Sequence, residues 1–186
     1  MSASLPKLPY GNPDEPEASS VHIVAPEALD STSVSQAVRY WMSLKGARKF
    51  PSRQDMALRD MTPFLRNVVL IRVIDKGADF EYRIAGDAHV QAHGLNFQGM
   101  RVSQVEALAP EQGKKTRATY EYVRLLGEPF AVRGWVGRDV PEAKFCYYET
   151  AFLPLGINGE VDHILVVTAY APRAGLADFD HTAVPR

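Results

Sequence analysis

Two histidines four residues apart, His89 and His93, are the side chains of this sequence best spaced for chemistry. On a helix that spacing puts them on one face with their Cβ atoms about 6 Å apart. Such a pair can hold a metal ion, and a helical histidine can also ligate haem. A third ligand is missing nearby: Asp87 falls on another face, and no HExxH glutamate is present. Two unliganded histidines at a surface or pocket rim are the simpler reading. Metal or haem through His89 and His93 stays as the alternative.

Arg83 sits in a strand pattern, and a buried arginine on a sheet is costly unless it meets a carboxylate. Glu149, on a later strand, or a ligand carboxylate could supply that partner; a structural ion pair is the favoured reading. Arg53 could also bind a carboxylate, but after Pro51-Ser52 a contact at a helix start is favoured. The single cysteine, Cys146, excludes an internal disulfide and a multi-cysteine zinc site, and reads as a small strand residue. Ser103 lacks the G-x-S-x-G context of a hydrolase nucleophile, and no glycine-rich phosphate loop occurs. No catalytic constellation emerges, so the chain reads as no enzyme.

A second group of residues could line a pocket. Tyr82, Phe97, Tyr120, Tyr122, Trp135, Phe145, Tyr147, Tyr148 and Phe152 gather on strand and helix patterns. Aromatic walls with a few polar tips suit a small-molecule site, and they equally suit a packed core. The ligand-pocket candidates are therefore Tyr82, Arg83, His89, His93, Phe97, Tyr120, Trp135, Tyr147 and Glu149.

Composition narrows the partners. The 186 residues carry a net charge of −1, and their lysines and arginines are scattered. A nucleic-acid surface would show a basic stripe. No run approaches the about 18 apolar residues of a membrane helix, and the N-terminus lacks the blocks of a signal peptide. A cytoplasmic protein that neither binds nucleic acid nor inserts into a membrane is expected.

The elements that must position these residues follow from periodicity. Residues 1–20 and 173–186 lack an apolar pattern and read as flexible tails. Val21–Val24 reads as a short strand or an extended docking segment. Asp30 to Ser33 offer N-caps to a helix over about 33–46, with Val34, Val38, Trp41, Met42 and Lys45 as a series at helical spacing that gives it one strongly apolar face. A short helical piece starts at Pro51. Strands follow over 67–75 and 80–85, then a helix over 86–93 closed by Gly94, and a long helix over 108–126. Three more strands, 129–137, 144–155 and 161–171, end in a hairpin turned at Gly156-Ile157-Asn158-Gly159. The result is a single α+β domain over 21–172. It has a five-stranded antiparallel sheet, helices on one face, and the N-terminal amphipathic helix capping the sheet.

At five places the sequence resembles the bacterial PAS-like family often found as single-domain proteins in alphaproteobacteria. They are Tyr40-Trp41, Phe50-Pro51-Ser52-Arg53, Phe80-x-Tyr82-Arg83-Ile84-Ala85-Gly86, Gly94-x-Asn96-x-x-Gly99 and Leu153-Pro154-Leu155. The resemblance spans about 34–172. It implies a PAS-like fold and a sensory or signalling module that binds a small molecule or a protein, with no common ligand and no catalytic residues.

On this reading a small ligand of unknown identity binds between sheet and helices. The signal leaves through a protein partner or a homodimer at residues 33–46, where the exposed remainder of the helix is expected to be apolar. The alternative is a ligand-free interaction module with a solid core. A small isomerase or dehydratase of the cone-shaped α+β type, pairing His89 with an aspartate, comes third.

Overall fold

The computed structural model describes residues 21–135 and 145–172. The segments expected as tails, 1–20 and 173–186, and the side chain of Cys146 lie outside the described residues. Segments rich in valine, isoleucine and aromatic residues form one antiparallel sheet. Its strands are β1 (Val21–Val24), β2 (Val68–Ile74), β3 (Asp79–Ala85), β4 (Phe130–Trp135), β5 (Phe145–Ile157) and β6 (Glu160–Pro172). They lie in the order β1-β4-β5-β6-β2-β3.

The sheet thus has six strands rather than the expected five. The addition is Val21–Val24, which pairs with β4, Val21 opposite Gly134 and Val24 opposite Ala131. It covers backbone groups that β4 would otherwise leave unpaired at an edge.

Helix α1 (Thr32–Lys45) lies on one face, its buried residues Val34, Ala37, Val38 and Trp41 packed on β5 and β6. The indole Nε1–H of Trp41 donates to the Pro154 carbonyl at 2.8 Å, tying the helix to β5. Here the expectation of an apolar outer face fails. The apolar stripe is spent on the sheet, and the outward positions are Thr32, Arg39, Met42 and Ser43. The short helix expected after Pro51 is instead a pair of 3-10 turns, Arg53–Asp55 and Leu58–Met61.

The opposite face carries α2 (Asp87–His93), α3 (Val102–Leu108) and α4 (Pro110–Leu126). Gly94 ends α2 in the left-handed conformation, with its N–H on the Val90 carbonyl. The β5–β6 hairpin turns at Asn158 and Gly159, both with positive φ, as two-residue hairpin loops require.

Candidate functional site

Three register irregularities decide which side chains face α2 to α4, one of them, between Phe145 and Tyr147 in β5, turning Phe145 to that side. In β3, Tyr82 lies opposite Ile71 and Ile84 opposite Leu70, so Arg83 is an extra, bulged residue. Tyr82 therefore joins Phe80 on the helix side, whereas Ile84 turns to the α1 side. Between β5 and β6 a second irregularity at Leu155/Gly156 brings Tyr148 opposite Tyr170, Thr150 opposite Thr168 and Phe152 opposite Val166. These pairs form the floor beneath the helices.

On that floor stands a shell of rings. Tyr82 stacks on Phe97 at 5.3 Å and meets Tyr120 edge-on at 6.4 Å. His89 and His93 lie 4.4 Å apart between ring centroids, and both pack on Phe97 and Tyr170. Phe145 closes the end against His93 and Tyr170.

Polar tips meet inside the shell. The Tyr170 hydroxyl lies 2.6 Å from His89 Nδ1 and 3.3 Å from His93 Nε2. A hydroxyl donates one proton and otherwise accepts, so the shorter contact fits donation to His89 and the longer one acceptance from His93. The Thr150 and Thr168 hydroxyls pair at 3.0 Å beside them. Burial, with a smaller contribution from His93, lowers the His89 pKa to about 3. Burial lowers His93 to about 4, although that residue keeps exposed surface and His89 is the more firmly neutral. Burial also raises the phenols of Tyr170 and Tyr82. At neutral pH the cluster is uncharged.

Of the candidates, Tyr82, His89, His93, Phe97 and Tyr120 come together on this face. Four others do not. Tyr147, Glu149 and Trp135 face α1, because alternate strand residues point to opposite sides and the floor takes Tyr148 and Thr150. Trp135 packs on Tyr147 at 5.2 Å and is partly exposed. Arg83 pairs with Glu81 at 3.0 Å at the surface and not with Glu149. Glu149 is buried and accepts from the backbone N–H groups of Asp30 at 3.0 Å and Ser31 at 2.7 Å, and from the Tyr147 hydroxyl at 3.0 Å. Ser103 is engaged structurally, its hydroxyl donating to Asp79 at 2.6 Å.

Sequence reasoning missed Tyr170, Thr150 and Thr168. Among the described residues no group of three or more histidines, cysteines or carboxylates comes together. The donor set around His89 stops at two imidazoles that already share one hydroxyl, short of the four donors of a zinc site.

An antiparallel sheet, with one helix on one face and three helices over a cluster of packed rings on the other, defines a PAS-type domain. The family model described as PAS domain matches residues 29–165, and the chain belongs to that family. No curated protein and no solved structure matches it. Members of this family are typically sensory or interaction modules rather than enzymes. Among the described residues no helix is long and apolar enough to cross a membrane.

Proposed function

We propose that this domain is a sensor whose ligand is a small, neutral, planar molecule taken between the sheet and α2. The observation that carries this reading is the meeting of three uncharged hydrogen-bonding tips, His89, His93 and Tyr170, among aromatic rings at a half-buried rim. Such tips fix orientation, and stacked rings supply the buried area. An ion would meet no opposite charge there. The rings touch one another, so entry requires α2 to swing out on its glycine ends, Gly86 and Gly94. Binding then selects an outward state of α2, and its effect is bounded by the difference in affinity between the two states.

The output path runs through β5. Tyr148 and Thr150 line the ring-bearing face, while Glu149 between them holds the start of α1 from the other side. A displacement of β5 therefore reaches residues 33–46, the surface we assign to a protein partner or a second copy of the chain. The close ring packing also favours a second reading, an interaction module with a solid core that signals without a ligand. A thermal-shift screen of neutral heteroaromatic metabolites, run on the wild type and Tyr170→Phe, separates the two. Stabilisation of the wild type that is lost in Tyr170→Phe supports the sensor. Equal melting temperatures with every compound support the solid module.

A further inference from the structure

The α1 side of the sheet carries a separate groove of about 130 Å3. Its floor is apolar: Val68, Leu70, Ile84 and Leu165, the last lying directly opposite Leu70 across the β2–β6 ladder. Its wall is the pair of 3-10 turns, which contribute Arg53, Met56 and Met61. Benzene fills an enclosed apolar cavity of roughly 150 Å3, so this groove takes a body no larger than one such ring.

The wall is built rather than loose. The Gly156 N–H donates to the Pro51 carbonyl at 3.0 Å, and the Ser52 N–H to the Asp55 carboxylate at 2.7 Å. The Ala57 N–H donates to the Tyr40 hydroxyl at 2.9 Å. Both carboxylates of the segment are already taken, Asp55 by Arg48 at 2.8 Å and Asp60 by Arg59 at 3.4 Å. Arg53, two residues from Asp55, forms no ion pair among the described residues and is exposed. A fixed apolar recess edged by a cation with no carboxylate of its own is complementary to a short apolar acid.

We propose that this groove binds a small monocarboxylic acid, its apolar body on Leu70 and Leu165 and its carboxylate on Arg53. The site is independent of the ring-lined face, from which the sheet separates it. Occupancy would hold the 3-10 turns against β2, a role neither the sensor nor the solid module requires.

The test is a methyl and amide NMR titration of the full chain with benzoate, with benzyl alcohol as the uncharged analogue. The expected result is saturable shifts at the Leu70, Ile84 and Leu165 methyls. Arg53→Gln weakens binding about two- to fivefold, as for a solvent-exposed ion pair, and Arg53→Lys weakens it less, because it keeps the charge but loses the fork. Benzyl alcohol binds about two- to fivefold more weakly than benzoate, in step with the loss in Arg53→Gln. Both variants alter an exposed side chain, and their unchanged amide spectra without benzoate verify folding. Absence of saturation up to the solubility limit overturns the proposal. So do shifts confined to His89 and Tyr170, and so does an unchanged affinity in a folded Arg53→Gln.

Discussion

The hydroxyl of Tyr170 lies 2.6 Å from Nδ1 of His89, joining the last strand of the sheet to α2. The contact is a short polar link between two elements that also meet through ring packing. Tyr170→Phe removes the hydroxyl and keeps the ring, leaving half-buried His89 without its short contact, while exposed His93 turns to water. An unmet buried polar group costs about 1–3 kcal/mol. We expect Tyr170→Phe to lower stability by that order, read as a lower urea midpoint with an unchanged slope. A variant as stable as the wild type would mean the contact holds nothing.

The same two histidines set an acid sensitivity. His89 titrates near 6.5 in the unfolded chain and at about 3 in the folded one. Between those values the unfolded state binds the extra proton, so stability falls as pH drops below about 6.5 and levels off once the folded form protonates too. At neutral pH both states are neutral and the term vanishes. By pH 5 the loss for His89 reaches about 2 kcal/mol. His93 acts in the same direction and more weakly, given its exposed surface. The lowered carboxylates Asp55, Asp79 and Glu81 lose their contribution only as pH falls through the range below their ordinary values of 3.8 to 4.5. Urea melts at pH 7, 6 and 5 therefore isolate the histidines. His89→Gln should flatten the dependence; curves parallel to the wild type would contradict it.

On the other face, Glu149 caps the chain entering α1. Its carboxylate accepts from Asp30, Ser31 and Tyr147 while itself being fully enclosed. Glu149→Ala strands two backbone donors and a hydroxyl, so a loss of about 2 kcal/mol or more is expected. Amide hydrogen exchange in the first turn of α1 should accelerate well before exchange in β2. Uniform acceleration would instead indicate a global effect, with no special hold on α1.

Gly156 is another position with a defined demand. A Cβ there would run into the Glu160 carbonyl and lie 2.9 Å from the Phe50 ring. Gly156→Ala should therefore cost roughly 1–3 kcal/mol and release Pro51, whose carbonyl the Gly156 N–H holds. Loss of the Gly156–Pro51 contact would appear as new amide positions through Arg53–Asp55. An alanine variant with wild-type stability would refute the steric argument.

The strands, the long helix, the hairpin turn and the capping helix were legible from alternation, helical spacing and turn residues. The face of each residue was not. From the turn, Ile157 pairs with Glu160 and Gly156 with Val161, and extending that register would place residue 169 opposite Tyr148. The irregularity after Gly156 inserts one residue on β6, and Tyr170 arrives there instead. A bulge leaves no periodic mark in a sequence, yet a one-residue slip exchanges the two faces of a strand. Tyr147 and Glu149 lie on the α1 side of β5, a face that no residue type marks, while Tyr170 and Thr168 reach the ring-bearing face through the slip in β6. Likewise, the bulge in β3 puts Arg83 at the surface beside Glu81. The four residues Val21–Val24 carry too little pattern to separate a strand from an extended segment.

The central claim is that a neutral planar molecule binds under α2 and is felt at α1. The most direct measurement is an NMR titration of the wild type and Glu149→Gln with indole and a panel of neutral heteroaromatic metabolites, following His89, Tyr170 and the Ser31 amide. The account predicts that at least one compound shifts His89 and Tyr170 saturably and moves the Ser31 amide with the same midpoint. In Glu149→Gln the ring shifts persist and the Ser31 response shrinks. Silence at His89 and Tyr170 across the panel, or ring shifts with an unmoved Ser31 amide in the wild type, would contradict it.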